Sequence, residues 1–412
     1  MVDVAIVGGG QAGLALSYCL SDRGRSHVIL ERDRLVESWR TRRWDSLRLI
    51  APNWSLALPG FSYTGDDPDG FMGKDEVVEH LLGYAQSFEA PVREGVRVTR
   101  LAQEPRGEGF VVHTSDGQFG ARQVVLATGA LQRPNIPAFA SQIRAGITQL
   151  VGSDYRSPQT LPPGNVLIVG SGETGCQIGE ELARAGREVL LSCGRSWWLP
   201  RRYRDRDIAA WLRLVGWFDR KTDDLPRGVR AGEPNPQLTG AAGGHDISAH
   251  TLSRDGVRLL GRLLDVRDGY AYFADDVVAN VRFGDDQAGQ FLDRIDALVD
   301  EESLDVPPAD RPDDLAFTAD SLPVFTDAGT TKLALEKEGI DVVLWATGYK
   351  HDFEWVGLPF LAPDGFPIQT RGVTAIPGLF VLGLDWLYNA KSGLFAGLGD
   401  DAAHVASVID SG

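Results

Sequence analysis

Cysteine, long apolar runs and positive charge are all scarce in this chain of 412 residues. The three cysteines, Cys19, Cys176 and Cys193, include no Cys-x-x-Cys pair, which excludes a disulfide framework, a cysteine zinc site and a redox-active cysteine pair. No apolar run reaches the roughly 18 residues of a membrane span, and the first strand begins at about Val4, too early for a signal peptide. We therefore expect a cytoplasmic protein without a membrane partner.

Acidic residues outnumber basic residues, 57 to 41, which gives a formal net charge of −16. A chain with this charge repels phosphate groups, so nucleic acid is excluded as a partner. The seven histidines show neither metal-ligand nor catalytic-triad spacing. We expect His245 and His250, which lie in a Gly-rich region, to be surface or structural residues. The length predicts two or three domains.

Glycine is abundant, and it punctuates two similar segments. The segments "VAIVGGGQAG" at 4–13 and "VLIVGSGETG" at 166–175 each pass from an apolar strand into a helix through Gly-x-Gly-x-x-Gly. In such a turn the first glycine bends the chain, the second lets the backbone approach a pyrophosphate, and the third lets the helix pack closely on the strand. Backbone N–H groups at the helix start then bind the anion. The repeat predicts an α/β protein with two dinucleotide-binding, Rossmann-like domains.

The first motif consists of Gly8, Gly10 and Gly13, and an acid follows it at a suitable distance. Glu31 lies 23 residues after Gly8, at the end of the second predicted strand. A carboxylate at this spacing can accept a hydrogen bond from a ribose hydroxyl. The context of strand, turn, helix and acid makes this motif a specific signal.

The second motif, Gly170, Gly172 and Gly175, lacks that acid. The equivalent position is Cys193, and Arg195 follows two residues later. Without the acid a 2′-phosphate is not repelled, and an arginine can bind it, which favours NADPH over NADH. Four more arginines follow as further candidates or as a solvated basic face: Arg201, Arg202, Arg204 and Arg206.

The remaining predicted elements fit between and after these units. Two Pro-rich stretches, 133–140 and 157–165, are predicted to be inter-domain linkers. The others are an antiparallel piece at 96–117, a helix at 207–218, a Gly-rich loop at 232–246, an acidic helix at 291–302, buried strands at 340–349 and 379–384, and a last helix at 399–409.

These motifs together resemble the flavin-containing monooxygenases, in particular the short bacterial members and the plant YUCCA-like enzymes. The resemblance covers nearly the whole chain and is weak between about Arg201 and Asp320. The residues that carry it are the two glycine motifs, Glu31-Arg32, Trp39 in "ESWRTRRWDSLRL", "LATG" at 126–129, "ATGY" at 346–349 and "KSGLFAGLGDDAAHVA" at 391–406.

The resemblance implies FAD and NADPH as cofactors. It implies an FAD domain formed by residues 1–140 and 326–412, with an NADPH domain inserted at 160–325 and the active site in the cleft between them. The implied cofactor-binding residues are Gly8, Gly10, Gln11, Ala12, Gly13, Glu31, Arg32, Ser38, Trp39, Val98, Thr128, Gly129, Gly170, Ser171, Gly172, Glu173, Thr174, Gly175, Arg195, Thr347, Gly348, Tyr349, Ser392, Gly393 and Leu394.

The resemblance also implies an activity. NADPH would reduce the flavin, the reduced flavin would form a C4a-(hydro)peroxide with O2, and one oxygen atom would pass to a small organic substrate. Oxygenation of nitrogen or sulfur, or hydroxylation of an activated carbon, is favoured over Baeyer–Villiger insertion. Two alternatives stay open: an NADPH-driven flavin oxidase or reductase without oxygen transfer, and a non-catalytic flavin-binding redox sensor. We expect an isologous homodimer from base rates.

Two positions depart from the family pattern. The family's linker histidine is replaced by Val151, and the asparagine that some relatives place beside the flavin corresponds to Ile50 rather than Asn53. No catalytic residue is therefore assigned. Candidates for the substrate pocket are Trp197, Trp198, Tyr203, Trp211, Trp217, Trp386, Tyr388 and Asn389, with Asn235, Gln237 and the loop 240–244 as a predicted lid. Ordinary core packing is the simpler alternative for any one of the tryptophans.

Overall fold

The computed structural model describes residues 1–105, 107, 109–225, 235–316 and 327–411. Its helices are α1 (Gln11–Asp22), α2 (Glu37–Thr41), α3 (Lys74–Ser87), α4 (Glu173–Arg184), α5 (Ile208–Leu214), α6 (Ala249–Arg254), α7 (Val277–Glu301) and α8 (Phe395–Ser411). Its strands are β1 (Val2–Val7), β2 (His27–Leu30), β3 (Ala57–Leu58), β4 (Phe61–Ser62), β5 (Val92–Arg93), β6 (Val98–Gln103), β7 (Phe110–Thr114), β8 (Gly117–Leu126), β9 (Arg133–Pro134), β10 (Thr148–Val151), β11 (Asn165–Val169), β12 (Val189–Ser192), β13 (Arg202–Tyr203), β14 (Arg206–Asp207), β15 (Arg258–Leu260), β16 (Leu263–Arg267), β17 (Tyr270–Phe273), β18 (Lys332–Ala334), β19 (Ile340–Trp345), β20 (Tyr349–Lys350), β21 (Gln369–Thr370), β22 (Val373–Thr374) and β23 (Leu379–Val381).

The first sheet has a parallel core in the order β5-β2-β1-β8-β23. Strand β1 is central and pairs with β2 on one side and β8 on the other. Its apolar residues are buried, as expected for a parallel strand covered on both faces. Helix α1 packs against α3 and α8 in the core that contains Ile6. The predicted antiparallel piece is confirmed as β6 and β7, which extend from β8.

The second sheet is wholly parallel, in the order β15-β12-β11-β19-β10. Its strands β15, β12, β11 and β19 repeat the order of β5, β2, β1 and β8, and α4 follows β11 as α1 follows β1. This is the strand order of a dinucleotide-binding unit. The sequence-based fold class is therefore confirmed: two Rossmann-like units, the second inserted into the first.

The two chain segments that cross between the sheets lie side by side. Strand β9 on the outward crossing pairs antiparallel with β20 on the return. Asn135 N donates to Gly348 O at 2.9 Å, Asn135 Nδ2 to Thr347 O at 3.2 Å, and Thr347 Oγ1 to Asn135 O at 2.6 Å. The crossings are therefore tied to each other where the two units meet.

The predicted division of the chain needs correction. Strands β10 and β19 both belong to the second sheet, so that sheet draws on residues 148–345 rather than 160–325. The Pro-rich stretch 157–165 connects two strands of one sheet and is not an inter-domain linker. A mostly apolar strand such as β19 has the same sequence pattern in either sheet, so only its pairing assigns it to the second sheet. The expected boundary at 325–326 and the start of the loop 232–246 lie outside the described residues.

Helix α7 begins 14 residues before the predicted acidic helix. Its buried residues include Ala288, Phe291 and Ile295, so one face packs against the core; Asp286, Asp293 and Asp300 are exposed, whereas Asp285 is buried. No described helix combines the length and the apolar character that a membrane crossing requires.

Candidate active site

A cavity of about 1370 Å³ lies between the two sheets. Its walls come from the first glycine turn, α2, the start of α4, the α5 region and the loop before α8. In open α/β sheets a ligand binds at the carboxyl ends of the strands, where the glycine turns lie. Both units therefore contribute their ligand-binding edges to one space.

The first turn has the geometry that a pyrophosphate requires. Gly8 has φ of +115°, and a Cβ there would lie 2.4 Å from Ala127 O. A Cβ on Gly13 would lie 2.1 Å from Gly8 O. At Gly10, by contrast, a Cβ would meet nothing within 4 Å, and this residue lines the cavity. The open side at the N-terminus of α1 leaves room for an anion.

The second turn repeats this geometry closely. Gly170 has φ of +108°, and a Cβ there would lie 2.5 Å from Ala346 O. A Cβ on Gly175 would lie 1.9 Å from Gly170 O, whereas Gly172 has open space beside it. The match shows that both motifs need glycine for the same steric reasons.

Glu31 supports the first turn and faces the cavity. Its Oε2 accepts from Gly9 N at 2.8 Å, and its Oε1 accepts from Asp33 N at 3.0 Å. These two bonds orient the carboxylate at the end of β2, where an acid can meet a ribose hydroxyl.

Trp39 connects α2 to two other parts of the cavity wall. Its Nε1 donates to Gln11 Oε1 at 3.0 Å, and its ring lies 6.0 Å from that of Phe395. The predicted residues Gly393 and Leu394 line the cavity beside Phe395. Residues far apart in sequence thus form one wall.

A hydrogen-bond network covers one side of the second turn. Gln237 Nε2 donates to Ser171 O at 2.6 Å and to Ser196 Oγ at 2.9 Å. Arg195 lies beyond this network, exposed, with its guanidinium carbon 5.6 Å from the Phe283 ring. Gln237 is therefore a buried structural residue rather than part of a lid.

Two carboxyl groups from different units meet at the cavity. Glu173 begins α4, and Asp385 lies in the loop after β23; both line the cavity. Burial and then the nearby Asp385 raise the pKa of Glu173 to about 8, and its Oε1 has no hydrogen-bond partner among the described residues. Burial also raises the pKa of Asp385. The junction therefore favours a neutral carboxyl group at Glu173.

Most of the implied cofactor residues converge on the cavity. Those that line it are Gly8, Gly10, Gln11, Ala12, Glu31, Arg32, Ser38, Trp39, Val98, Thr128, Gly129, Glu173, Thr174, Tyr349, Gly393 and Leu394. Those outside its lining are Gly13, Gly170, Ser171, Gly172, Gly175, Arg195, Thr347, Gly348 and Ser392. Several of the latter support the structure around the cavity: Gly13 packs against Gly8 of the first turn, and Thr347 bonds to Asn135 in the crossing.

The aromatic pocket prediction is mostly wrong. Trp217 and Asn235 line the cavity, but Trp197, Tyr203 and Trp211 pack in a buried cluster behind it. Other candidates outside the lining are Trp198, Trp386, Tyr388 and Asn389. The loop 240–244 packs against the first unit instead of forming a lid, since a Cβ on Gly240 would lie 2.0 Å from Leu49 O.

The later arginines do not form a phosphate site. Arg201 is buried, paired with Asp207, and its Nη1 donates to Ile50 O at 2.8 Å. Arg204 pairs with Asp296 at 2.9 Å. None of Arg201, Arg202, Arg204 and Arg206 lines the cavity.

Val151 is a core residue at the end of β10, where it pairs with Trp345. A histidine at this position would be buried in the sheet. Two residues further on, Ser153 N donates to Tyr349 Oη on the return crossing at 3.1 Å. Asn53 is also used structurally, since its Nδ2 donates to Asp67 O and its Oδ1 accepts from Met72 N.

Two histidines pair with carboxylates, and two cysteines are buried. His245 lies 2.7 Å from Glu180, and buried His250 lies 3.0 Å from Asp285. Cys19 and Cys176 are buried and free. Burial raises the pKa of both thiols, which makes them poor nucleophiles. The described residues contain no cluster of three metal-ligating side chains.

The sequence of residues 5–214 matches the family described as pyridine nucleotide-disulphide oxidoreductase. The chain belongs to this family. It is also 31% identical over 412 residues to a protein of Geobacillus kaustophilus (strain HTA426) described as an uncharacterized oxidoreductase, CzcO-like; the alignment covers 99% of this chain and 98% of that protein. The family member described here is therefore an oxidoreductase.

Two further likenesses concern flavin monooxygenases. Over 188 residues the chain is 32% identical to indole-3-pyruvate monooxygenase YUCCA1 of Oryza sativa subsp. japonica, covering 45% of this chain and 46% of that protein. The fold matches a flavin-containing monooxygenase from Stenotrophomonas maltophilia with a TM-score of 0.67 and 21% identity, covering 100% of this chain and 98% of that chain. The resemblance predicted from the motifs is confirmed.

Sequence reasoning missed two cavity residues, Arg43 and Asp385. Arg43 is one of several arginines in "WRTRRW", and nothing in the spacing distinguishes it from the others. Asp385 follows Gly383 and precedes the loop 391–394 before α8. A polar residue at the carboxyl end of a buried strand was the available signal for Asp385.

Proposed function

We propose that this oxidoreductase is an FAD- and NADPH-dependent monooxygenase that transfers one oxygen atom from O2 to a small organic substrate. One observation carries the proposal: two glycine turns of matching geometry open the two units, and the first turn and the start of α4, which follows the second turn, line one large cavity. A chain that binds two dinucleotides at one junction can bring a nicotinamide and a flavin together.

The first unit is assigned to FAD and the second to NADPH. Gly10 leaves space at the N-terminus of α1 for a pyrophosphate, and Glu31 is oriented for a ribose hydroxyl. In the second unit Gly172 leaves similar space, and Arg195 stands two residues after the position where an acid would repel a 2′-phosphate.

Bound FAD would supply the redox chemistry, namely acceptance of a hydride from NADPH and activation of O2. The protein binds and orients the partners. Trp39, held by Gln11, fixes the wall beside α2. Glu173 holds a proton at the junction, because burial raises its pKa to about 8.

The substrate is proposed to occupy the apolar end of the cavity. Leu49, Trp54, Leu212, Trp217 and Phe395 provide surface there from three parts of the chain. Such walls suit a flat or apolar body. Oxygenation of nitrogen or sulfur, or hydroxylation of an activated carbon, is favoured over Baeyer–Villiger insertion; none of these reactions needs a nucleophilic protein side chain.

The second candidate is an NADPH-driven flavin oxidase or reductase. Val151 favours it, because an apolar core residue replaces the linker histidine of the resembled family. A stopped-flow experiment separates the two functions. The protein is reduced anaerobically with NADPH and mixed with aerated buffer, and absorbance spectra are recorded.

A long-lived C4a-peroxyflavin spectrum, followed by product formation with an added substrate, is the expected result. Direct return to oxidised flavin with one hydrogen peroxide per flavin, whatever substrate is added, would favour the oxidase. Negligible reduction by NADPH would contradict both and support a redox sensor. The matched control repeats the reduction with dithionite, which bypasses the nicotinamide site.

A further inference from the structure

The cavity has a different charge balance from the chain as a whole. Seven basic and seven acidic residues line it, although the chain carries a net charge of −16. Three of the basic residues already have carboxylate partners, namely Arg32, Arg48 and Lys391. The other four have no carboxylate partner among the described residues: Arg42, Arg43, Arg97 and Arg213.

Among these four, Arg43 packs against an aromatic ring. Its guanidinium carbon lies 4.8 Å from the centre of the Trp39 ring, and its Nη1 donates to Arg42 O at 2.9 Å. Burial lowers the pKa of the guanidinium to about 10, whereas the nearby Tyr349 opposes this effect. Arginine stays charged at neutral pH, so the protein holds a partly desolvated cation beside the cavity without an anion.

Such a cation costs free energy unless an anion offsets it. A planar guanidinium has five donors, and it binds carboxylate or phosphate oxygens in a bidentate manner. Only one hydrogen bond from the Arg43 guanidinium is made within the described part of the chain. The remaining donors are available to a ligand in the cavity.

Arg43 is also well placed between the two units. Its neighbour Trp39 belongs to the first unit, and its neighbour Tyr349 lies on the return crossing. Tyr349 Oη accepts from Ser153 N, and the adjacent Gly152 packs against Thr174 of the second turn. A ligand at Arg43 therefore contacts the region where both units meet.

We infer that Arg43 binds an oxyanion at the junction of the two units, with Trp39 stacked on the guanidinium. This inference rests on the proposed function. The oxyanion has two sources in that function, the carboxylate of an acidic aromatic substrate and the phosphates of NADPH. Trp54 and Trp217 provide aromatic walls of the same cavity and suit the first source, whereas Thr174, which follows the second turn and also lines this cavity, suits the second.

Equilibrium binding to the oxidised FAD-loaded protein tests the inference. The probes are indole-3-acetate, its neutral analogue indole-3-acetamide, and NADP⁺, each titrated while the flavin absorbance is monitored. The variants are Arg43→Gln and Arg43→Lys. Arg48→Gln is the matched control, because Arg48 lines the same cavity but is already paired with Glu76 at 2.9 Å.

Loss of a charged hydrogen-bond partner is expected to weaken oxyanion binding about 10- to 100-fold in Arg43→Gln. If Arg43→Gln binds indole-3-acetate more weakly than the wild type but binds indole-3-acetamide equally well, the oxyanion is a substrate carboxylate. If only the binding of NADP⁺ is weakened, the oxyanion is a phosphate of the cofactor. Arg43→Lys is expected to retain part of the affinity, and Arg48→Gln all of it.

The inference would be overturned if Arg43→Gln bound NADP⁺ with wild-type affinity and also showed no loss of indole-3-acetate binding. The second condition is met if the variant binds indole-3-acetate as the wild type does, or if the wild type itself does not bind it. FAD content and melting temperature report whether each variant folds. If Arg43→Gln does not fold, the binding measurements on Arg43→Lys still test the inference. Because binding is measured without turnover, a failure of oxygen transfer leaves this result unaffected.

Discussion

At the scale of single residues, Glu173 makes stability depend on pH. Its pKa is raised from 4.5 to about 8 in the folded protein. Between these values the folded state binds more protons than the unfolded state, so the free energy of unfolding falls as pH rises. The N-terminus of α4 favours the ionised form and reduces the effect.

Glu173→Gln is therefore expected to equal the wild type in stability near pH 4.5 and to exceed it by about 1–3 kcal/mol at pH 9. Urea unfolding of the cofactor-free protein from pH 4.5 to 9 measures this difference. Glu354→Gln is the control, since the Glu354 side chain is 82% exposed. A difference that does not change with pH would contradict the assignment.

A substitution at Arg195 tests the preference for NADPH over NADH, also at the scale of single residues. Removing a charged partner of the 2′-phosphate by Arg195→Ala is expected to raise the KM for NADPH about 10- to 100-fold. The KM for NADH should change little, because NADH lacks that phosphate. Arg202→Ala removes the same charge from another exposed position and should affect neither. Equal effects on both nucleotides would refute the 2′-phosphate role.

At the scale of elements, the two glycine turns provide a matched pair of variants. A Cβ at Gly13 or at Gly175 would lie about as close to a carbonyl, at 2.1 and 1.9 Å. We expect Gly13→Ala to lose FAD, and Gly175→Ala to retain FAD but bind NADP⁺ weakly, because each turn must deform to admit the methyl group.

Flavin content after purification and NADP⁺ titration measure these outcomes. Gly289→Ala on α7 is the control, because nothing lies within 4 Å of its added Cβ. It should leave both cofactors bound and stabilise the helix by up to about 1 kcal/mol. FAD loss from Gly175→Ala and not from Gly13→Ala would reverse the assignment of the units.

The elements also differ in how far the sequence could predict them. Both strand–turn–helix units were predictable, because glycine spacing reflects local backbone sterics. Strand β10 was missed, and Val151 at its end was compared with a linker histidine, because four residues of mixed polarity give no clear period. Only pairing with β19 identifies that segment as a strand of the second sheet.

At the scale of the whole molecule, the paired crossings hold the two units together. Asn135 and Thr347 exchange three backbone or side-chain hydrogen bonds with each other's segment. Asn135→Ala and Thr347→Val should each lower the free energy of unfolding by about 1 kcal/mol. The double variant should lose less than the sum, because both side chains tie the same two segments.

A double-mutant cycle by urea denaturation measures this coupling. Thr331→Val, at an exposed position, is the control and should be additive with either variant. Full additivity of Asn135→Ala with Thr347→Val would show that the two crossings are not energetically coupled.

The sequence by itself determined the two dinucleotide motifs, the absence of a cysteine pair, and the acid–arginine difference between the units. These features depend on local sterics and on residue chemistry at short spacing. Only the tertiary structure decided which strands share a sheet, which tryptophans line the cavity, and that Arg43, Glu173 and Asp385 lie at its walls. Those properties depend on contacts between residues hundreds of positions apart, and burial, which sets their charge, exists only after folding.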